Sequence, residues 1–234
     1  MKQNIPFLIA LLAAGPIFAA DTSATRNVED ALAKLSSAAN YSWTTIIKIP
    51  DMPFEPGPLK GRTEKGGPSI VTQQFNDNTL EAAFKGDKIA INGQGQWESI
   101  DQADEQGAMM GGWLTSSGTA ADEAGKLLKY VKDLKAADDA LVGDLTPEGA
   151  REILTFHPRG GNAPPAPKNA MGSVKFWLKD GALVKFESHL QGTVTFSPDQ
   201  GERDFEETRT VEIQDVGTTK LDLPAEAAKI LESK

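Results

Sequence analysis

From Ser173 to Phe196 the chain keeps one apolar/polar alternation through two strands and the turn between them. Val174, Phe176 and Leu178 point one way. Asp180-Gly181 is a two-residue hairpin signal, because both residues tolerate positive φ. The return run then holds its phase through Val184, Phe186, Ser188, Leu190, Gly192, Val194 and Phe196. Arg203 to Val216 follows the Ser197–Gly201 turn as a third long strand, with Phe205, Val211 and Ile213 in phase. Strands with one dry and one wet face belong to an antiparallel sheet, and the dry face needs a cover. This requirement constrains everything else the chain folds into.

The N-terminal half repeats the pattern in shorter pieces. Tyr41 to Ile49 is aromatic and β-branched, with Trp43, Thr45, Ile47 and Ile49 on one face. Pro50, Pro53, Pro56 and Pro58 form a stiff loop without ladder donors. Strands are expected over Leu59–Glu64, Ser69–Phe75, Thr79–Lys85 and Lys88–Asn92, and Trp97 follows a Gly-rich turn. The cover comes from helices. One is expected from Asn27 to Ala39, with Asn27 as its N-cap. Another runs from Ala120 to about Ala136, capped by Thr119, and Ala137 to Val142 could extend it. A third begins at Thr146-Pro147-Glu148, and a short one follows Leu223-Pro224. Gly107 to Leu114 reads as an apolar, Gly-rich loop, and His157 to Gly172 as a Pro/Gly-rich one. The fold class is therefore α+β, a curved antiparallel sheet wrapped over a few helices.

Residues 1–20 stand apart from this pattern. Lys2, the apolar run Ile5–Ala14, the Gly15-Pro16 break and the small residues Ala19 and Ala20 have the layout of a cleaved secretory signal peptide. The expected division is 1–20 as leader and 21–234 as one domain. The expected compartment is the periplasm, with secretion from the cell as the alternative. No later apolar run approaches the ~20 residues that span a bilayer, so no stable membrane insertion is expected.

Composition removes several chemistries. The 234 residues contain no cysteine and two histidines, and the net charge is −9. Disulfide frameworks, thiolate metal sites and Cys nucleophiles are excluded. An acidic chain has no counterion-release term with which to bind nucleic acid. No P-loop, G-x-S-x-G or H-E-x-x-H motif occurs. His189 falls on the wet face beside Lys185, Glu187 and Gln191, and His157 opens a surface loop. Asp101, Asp104 and Glu105 read as a solvated charge run rather than a cation site. Neither a metal nor another cofactor is expected, nor an enzyme, although an Asp/Glu pair brought together by the fold stays open as a hydrolytic alternative.

The apolar signal is the more informative one. Trp43, Phe75, Phe84, Trp97, Phe176, Phe186 and Phe196 are placed to line a space between sheet and helices. Met109, Met110, Trp113 and Leu114 would form an adaptable flap over it. An ordinary filled core accounts for the same pattern equally well. Glu207 and Arg209 share the phase of Phe205 and Val211. Facing inward they would be buried charges needing partners, with Arg209 latching a lid through backbone carbonyls. The pattern by itself favours the plainer alternative, in which the strand outruns the core or a bulge shifts its phase.

The order of elements resembles the periplasmic lipoprotein-carrier superfamily, the LolA-like and LppX-like proteins. The resemblance rests on the leader, the short helix before Tyr41-Ser-Trp-Thr44, the hairpin at Lys85-Gly-Asp-Lys88 with Trp97 after it, the helical insert, and the long closing strands before Leu223-Pro-Ala-Glu-Ala. It implies an incomplete antiparallel barrel with a helical lid that binds an acyl chain or another apolar small molecule, as carrier or sensor. The long Pro-rich loops depart from the plain carrier pattern. The rival reading is a cell-envelope interaction module with a filled core, contacting other envelope proteins through those loops.

Overall fold

The computed structural model describes residues 22–50, 56–75, 78–93, 95–155, 164–195 and 201–233. The leader at 1–20, His157 and Phe196 lie outside them. The described residues form one open, wholly antiparallel sheet of 11 strands and five helices. The strands are β1 (Asn40–Lys48), β2 (Leu59–Glu64), β3 (Ser69–Phe75), β4 (Asn78–Lys85), β5 (Lys88–Asn92), β6 (Trp97–Ser99), β7 (Val131–Ala137), β8 (Ala140–Leu145), β9 (Lys168–Lys179), β10 (Ala182–Val194) and β11 (Arg203–Gln214). The helices are α1 (Thr22–Ser37), α2 (Glu105–Thr115), α3 (Ala120–Tyr130), α4 (Pro147–Leu154) and α5 (Ala225–Glu232). The spatial order is β6-β5-β4-β3-β2-β1-β11-β10-β9-β8-β7. Two meanders thus meet where β1 pairs with β11, Trp43 opposite Ile213 and Ile47 opposite Arg209.

The expected alternation sets the faces. Tyr41, Trp43, Thr45 and Ile47 are buried on one face of β1, and Phe176, Phe186, Ser188, Leu190 and Val211 continue it. This concave face carries four of the helices. α1 packs on β7, β9 and β10, α2 on β3, β4 and β5, and α4 on β8, β9 and β10, with α3 between α1 and α4. α5 takes the opposite face of β4, β5 and β6, where Ala227 and Leu231 close a small second core with Ile70, Ala83 and Ala90. The Asp180-Gly181 turn is as expected, with φ of 52° and 69°.

Four expectations need correction. α1 starts at Thr22, so Asn27 is an exposed residue inside the helix rather than its cap. Its buried stripe is Ala24, Val28, Ala31 and Leu35. Gly107–Leu114 is not a loop but most of α2: Asp104 caps it by accepting a 2.7 Å bond from Gly107 N. Gly111 serves close approach, since a Cβ there would overlap Ile91 of β5. The long helix after Thr119 ends at Tyr130, and Val131–Ala137 with Ala140–Leu145 is a hairpin. Leu127 and Leu134 are both buried, so their spacing imitates a helix. The open edge of β9 instead takes β8 as its ladder partner, and β8 takes β7. Finally, a bulge between Leu183 and Lys185 puts Leu183 inward in place of Val184.

One contact fixes the middle of the concave face. A Cβ on Gly61 of β2 would overlap the Trp43 indole across the β1–β2 pair. Gly61→Ala should therefore destabilise the fold by about 1–3 kcal/mol in urea unfolding. Gly112→Ala, in α2 with open space around it, should stabilise it by up to about 1 kcal/mol. Equal effects of the two substitutions would contradict the packing described.

Candidate functional site

The site is the part of the concave face roofed by α2 and by the turn joining it to α3. Its floor is Trp43, Thr45 and Ile47 of β1, Leu59 of β2 and Arg209 of β11. Its roof is Trp113 and Leu114 of α2, Ser117 and Gly118 of the turn, and Glu123 of α3. These residues enclose a void of about 10 Å³, room for about one water molecule. Between floor and roof the interior is packed.

Each roof element is positioned by local chemistry. Three glycines in eleven residues make α2 a poor helix on its own, each costing about 1 kcal/mol against alanine. It is held by its Asp104 cap, by Gly111 against Ile91, and by Trp113, whose ring centroid lies 5.8 Å from that of Phe75. α3 is the stronger helix. Thr119 and Asp122 form a reciprocal capping box, and Ala121 N donates a 3.2 Å bond to the Tyr41 phenol oxygen. Tyr41 in turn packs against Trp43, with centroids 5.8 Å apart. Burial pushes the Tyr41 hydroxyl above its ordinary pKa.

The polar centre of the site is Arg209. Its Nη1 donates a 2.6 Å bond to Ser117 Oγ, and its Nε lies 3.2 Å from Glu207 Oε1 and 3.6 Å from Glu123 Oε1. The three charged side chains are only 16%, 12% and 13% exposed. Arg209 therefore faces inward in phase with Val211 and joins strand β11 to both the α2–α3 turn and α3. The plainer reading of the sequence, a strand end beyond the core or a shifted phase, is thereby corrected, and the partners are a hydroxyl and two carboxylates rather than backbone carbonyls. Burial pushes the Glu123 carboxyl above the usual carboxylate range; Arg209 pulls it down, and Glu207 adds to the rise. Burial opposes the Arg209 charge, but Glu207 and Glu123 outweigh it and hold the guanidinium above its ordinary value.

The other aromatic and Met candidates fall in several places. Trp43, Trp113 and Leu114 line the void, and Phe75 touches it through Trp113. Met109 is 54% exposed on α2, and Met110 is partly exposed beside it. Phe176 and Phe186 are fully buried against each other in the core. Phe84 borders a separate open groove of about 280 Å³ with Tyr41, Thr63, Ser69 and Thr119. Trp97 packs with the second core under α5, on the other side of the sheet, because it pairs with Asn92, in the phase of Ala90. The sequence reading missed Ser117, Glu123 and Leu59. Leu59 carried a signal, its place at the head of β2; Ser117 and Glu123 carried none, since both sit among ordinary helix-capping residues.

No nucleophile–base pair is recognisable at this site, and among the described residues no three His, Asp or Glu gather as a metal site. Asp104 and Glu105 are used by the α2 N-terminus. His189 lies on the outer face, 2.9 Å from Glu206. Among the described residues no helix is long and apolar enough to cross a membrane.

No protein-family model matches the chain, and no curated protein matches it in sequence. Solved structures are similar in arrangement. Lipoprotein LppX from Mycobacterium tuberculosis is 11% identical with a TM-score of 0.48, over 87% of this chain and 100% of that one. LprF from Mycobacterium bovis is 11% identical with a TM-score of 0.47, over 88% and 97%. A LolA superfamily protein from Nitrosomonas europaea is 12% identical with a TM-score of 0.33, over 90% and 97%. These likenesses concern overall arrangement and assign no ligand to this chain.

Two predictions test the charge cluster. Arg209→Met leaves two carboxylates without their cation and should cost about 3–5 kcal/mol in urea unfolding. Adding Glu123→Gln and Glu207→Gln should recover most of that loss. The second concerns pH. Glu123 has a higher pKa folded than unfolded, so its contribution is complete below the ordinary carboxylate range and is lost as pH climbs through the raised value. The stability of Glu123→Gln relative to the wild type should accordingly improve from acid to neutral pH. The opposite trend would contradict the assigned direction.

Proposed function

We propose that this is an exported, soluble binding protein that holds a lipid-like or other apolar ligand, such as an acyl chain, non-covalently between the concave sheet face and a lid formed by α2 and the α2–α3 turn. Periplasm is the proposed compartment, with secretion as the alternative, and catalysis forms no part of the proposal. The observation that carries the reading is the Arg209 cluster. It fastens the lid to β11 by polar bonds, over walls that include Trp43, Ile47, Leu59, Trp113 and Leu114. Apolar residues of similar volume often hold a core as well as or better than buried charges do, so a charge cluster at this point suits a closure that must open.

A void of about 10 Å³ is far below the ~300 Å³ at which ligand pockets begin. Binding therefore requires α2 to swing away from β3, β4 and β5. The weak intrinsic helicity of α2 and its reliance on Gly111 and Trp113 suit that movement. The ligand would replace the lid's own apolar contacts, gaining ~25 cal/mol per Å² buried before ordering costs. Met109 and Met110 would adapt to its shape.

The packed interior supports a second reading, an interaction module acting through the Pro-rich loops near residues 50–68 and 157–172. One experiment separates the two. The full chain, gently extracted, is analysed by native mass spectrometry and then titrated with palmitic acid while tryptophan emission is followed. The lid reading expects a bound acyl species and a change in emission from Trp43 and Trp113. Absence of both, with an envelope protein captured through the loops, would overturn it in favour of the interaction module.

A further inference from the structure

Gln73 is the most deeply buried polar side chain among the described residues, 1% exposed. It lies on β3 between Val71 and Phe75, on the concave face that α2 covers. It pairs with Leu80 of β4, and on its other side, one step beyond the Lys60–Thr72 pair, is Leu59, which lines the void. Its Nε2 donates a 2.9 Å bond to Gly57 O at the end of the Pro-rich loop. That carbonyl can only accept, so it fixes which way round the amide sits. The Oε1 is left buried and, among the described residues, accepts no hydrogen bond.

A side chain needed only to tether Gly57 would need a donor, not a buried acceptor. An orphan acceptor in an apolar enclosure carries the full desolvation cost of its carbonyl. Any donor entering that enclosure would recover it. Arg209, which also faces the compartment, already has three partners. Gln73 thus presents the one described buried side-chain acceptor on this face that lacks a donor.

We propose that Gln73 accepts a hydrogen bond from the ligand, so that the ligand class is an acyl compound bearing a hydroxyl or amide N–H partway along its chain, rather than plain hydrocarbon. This rests on the lid reading above. Binding of the donor places its O–H or N–H against Gln73 Oε1 while the rest of the chain lies on Leu59, Leu80 and the roof.

The test titrates the full chain with stearic acid and with a set of stearic acids hydroxylated at successive chain positions, read by tryptophan emission and by competition in native mass spectrometry. Affinity should peak at one hydroxyl position, roughly five- to ten-fold above stearic acid, the size of one net hydrogen bond. Gln73→Met, which keeps the volume and removes the acceptor, should abolish that peak, so that the hydroxylated acids bind no better than stearic acid does to the same variant. Equal binding of all the acids by the wild type overturns this inference and leaves the lid reading standing. Binding of none overturns the lid reading and this inference with it. A peak that survives in Gln73→Met assigns the preference to another group and overturns the role of Gln73. If Gln73→Met does not fold, Gln73→Leu is read by the same criterion, and equal binding of all the acids by the wild type overturns the inference without either variant.

Discussion

The structure depends on one constraint: an open sheet of 11 strands has a concave apolar face that must not meet water. Two kinds of cover share the task. On the side of β9 and β10, the cover is apolar. Phe176 and Phe186 are fully buried, and α1 packs on their strands with its stripe of Ala24, Val28, Ala31 and Leu35. Lys34 of α1 adds a 3.0 Å bond to Gly181 O at the hairpin. On the side of β3 to β5, the cover is α2, a short helix weakened by glycine and fastened at its far end by charge. The same sheet therefore carries a fixed core and a roof of different chemistry.

The Arg209 cluster lies at the seam between these halves. β11 joins the two meanders through β1, and Arg209 stands opposite Ile47 on one side and Ser188 on the other. From that position the guanidinium reaches the turn after α2 through Ser117 and the first turns of α3 through Glu123. A movement of α2 thus need not disturb α1 or α4. The raised pKa of Glu123 makes the seam sensitive to pH, while Arg209 stays charged.

Much of this was legible in the sequence wherever one rule acted alone. The long alternation through Val174, Phe176, Phe186 and Leu190 gave both faces of the sheet, and Asp180-Gly181 placed its turn. The reading failed where two rules competed. Leu127, Val131 and Leu134 fit a helical period, yet the chain leaves the helix at Tyr130 because an open strand edge needed partners. Gly107, Gly111 and Gly112 look like a loop until Gly111 is known to lie so close to Ile91 of β5 that only glycine fits there. The inward charge of Arg209 was visible as a phase, and Glu207 beside it, but its partners Ser117 and Glu123 come from segments far away in the chain, and no local pattern announces them. Trp97 shows the same limit, since its face follows from the β5–β6 register.

On the function proposed above, α2 is a separately releasable roof held by the Arg209 cluster. Hydrogen exchange by mass spectrometry on the full chain, comparing the wild type with Arg209→Met/Glu123→Gln/Glu207→Gln, tests it most directly. The account predicts faster exchange confined to residues 105–118, with β9, β10 and α1 unchanged. Unchanged exchange in α2, or acceleration spread evenly over sheet and helices, would contradict it.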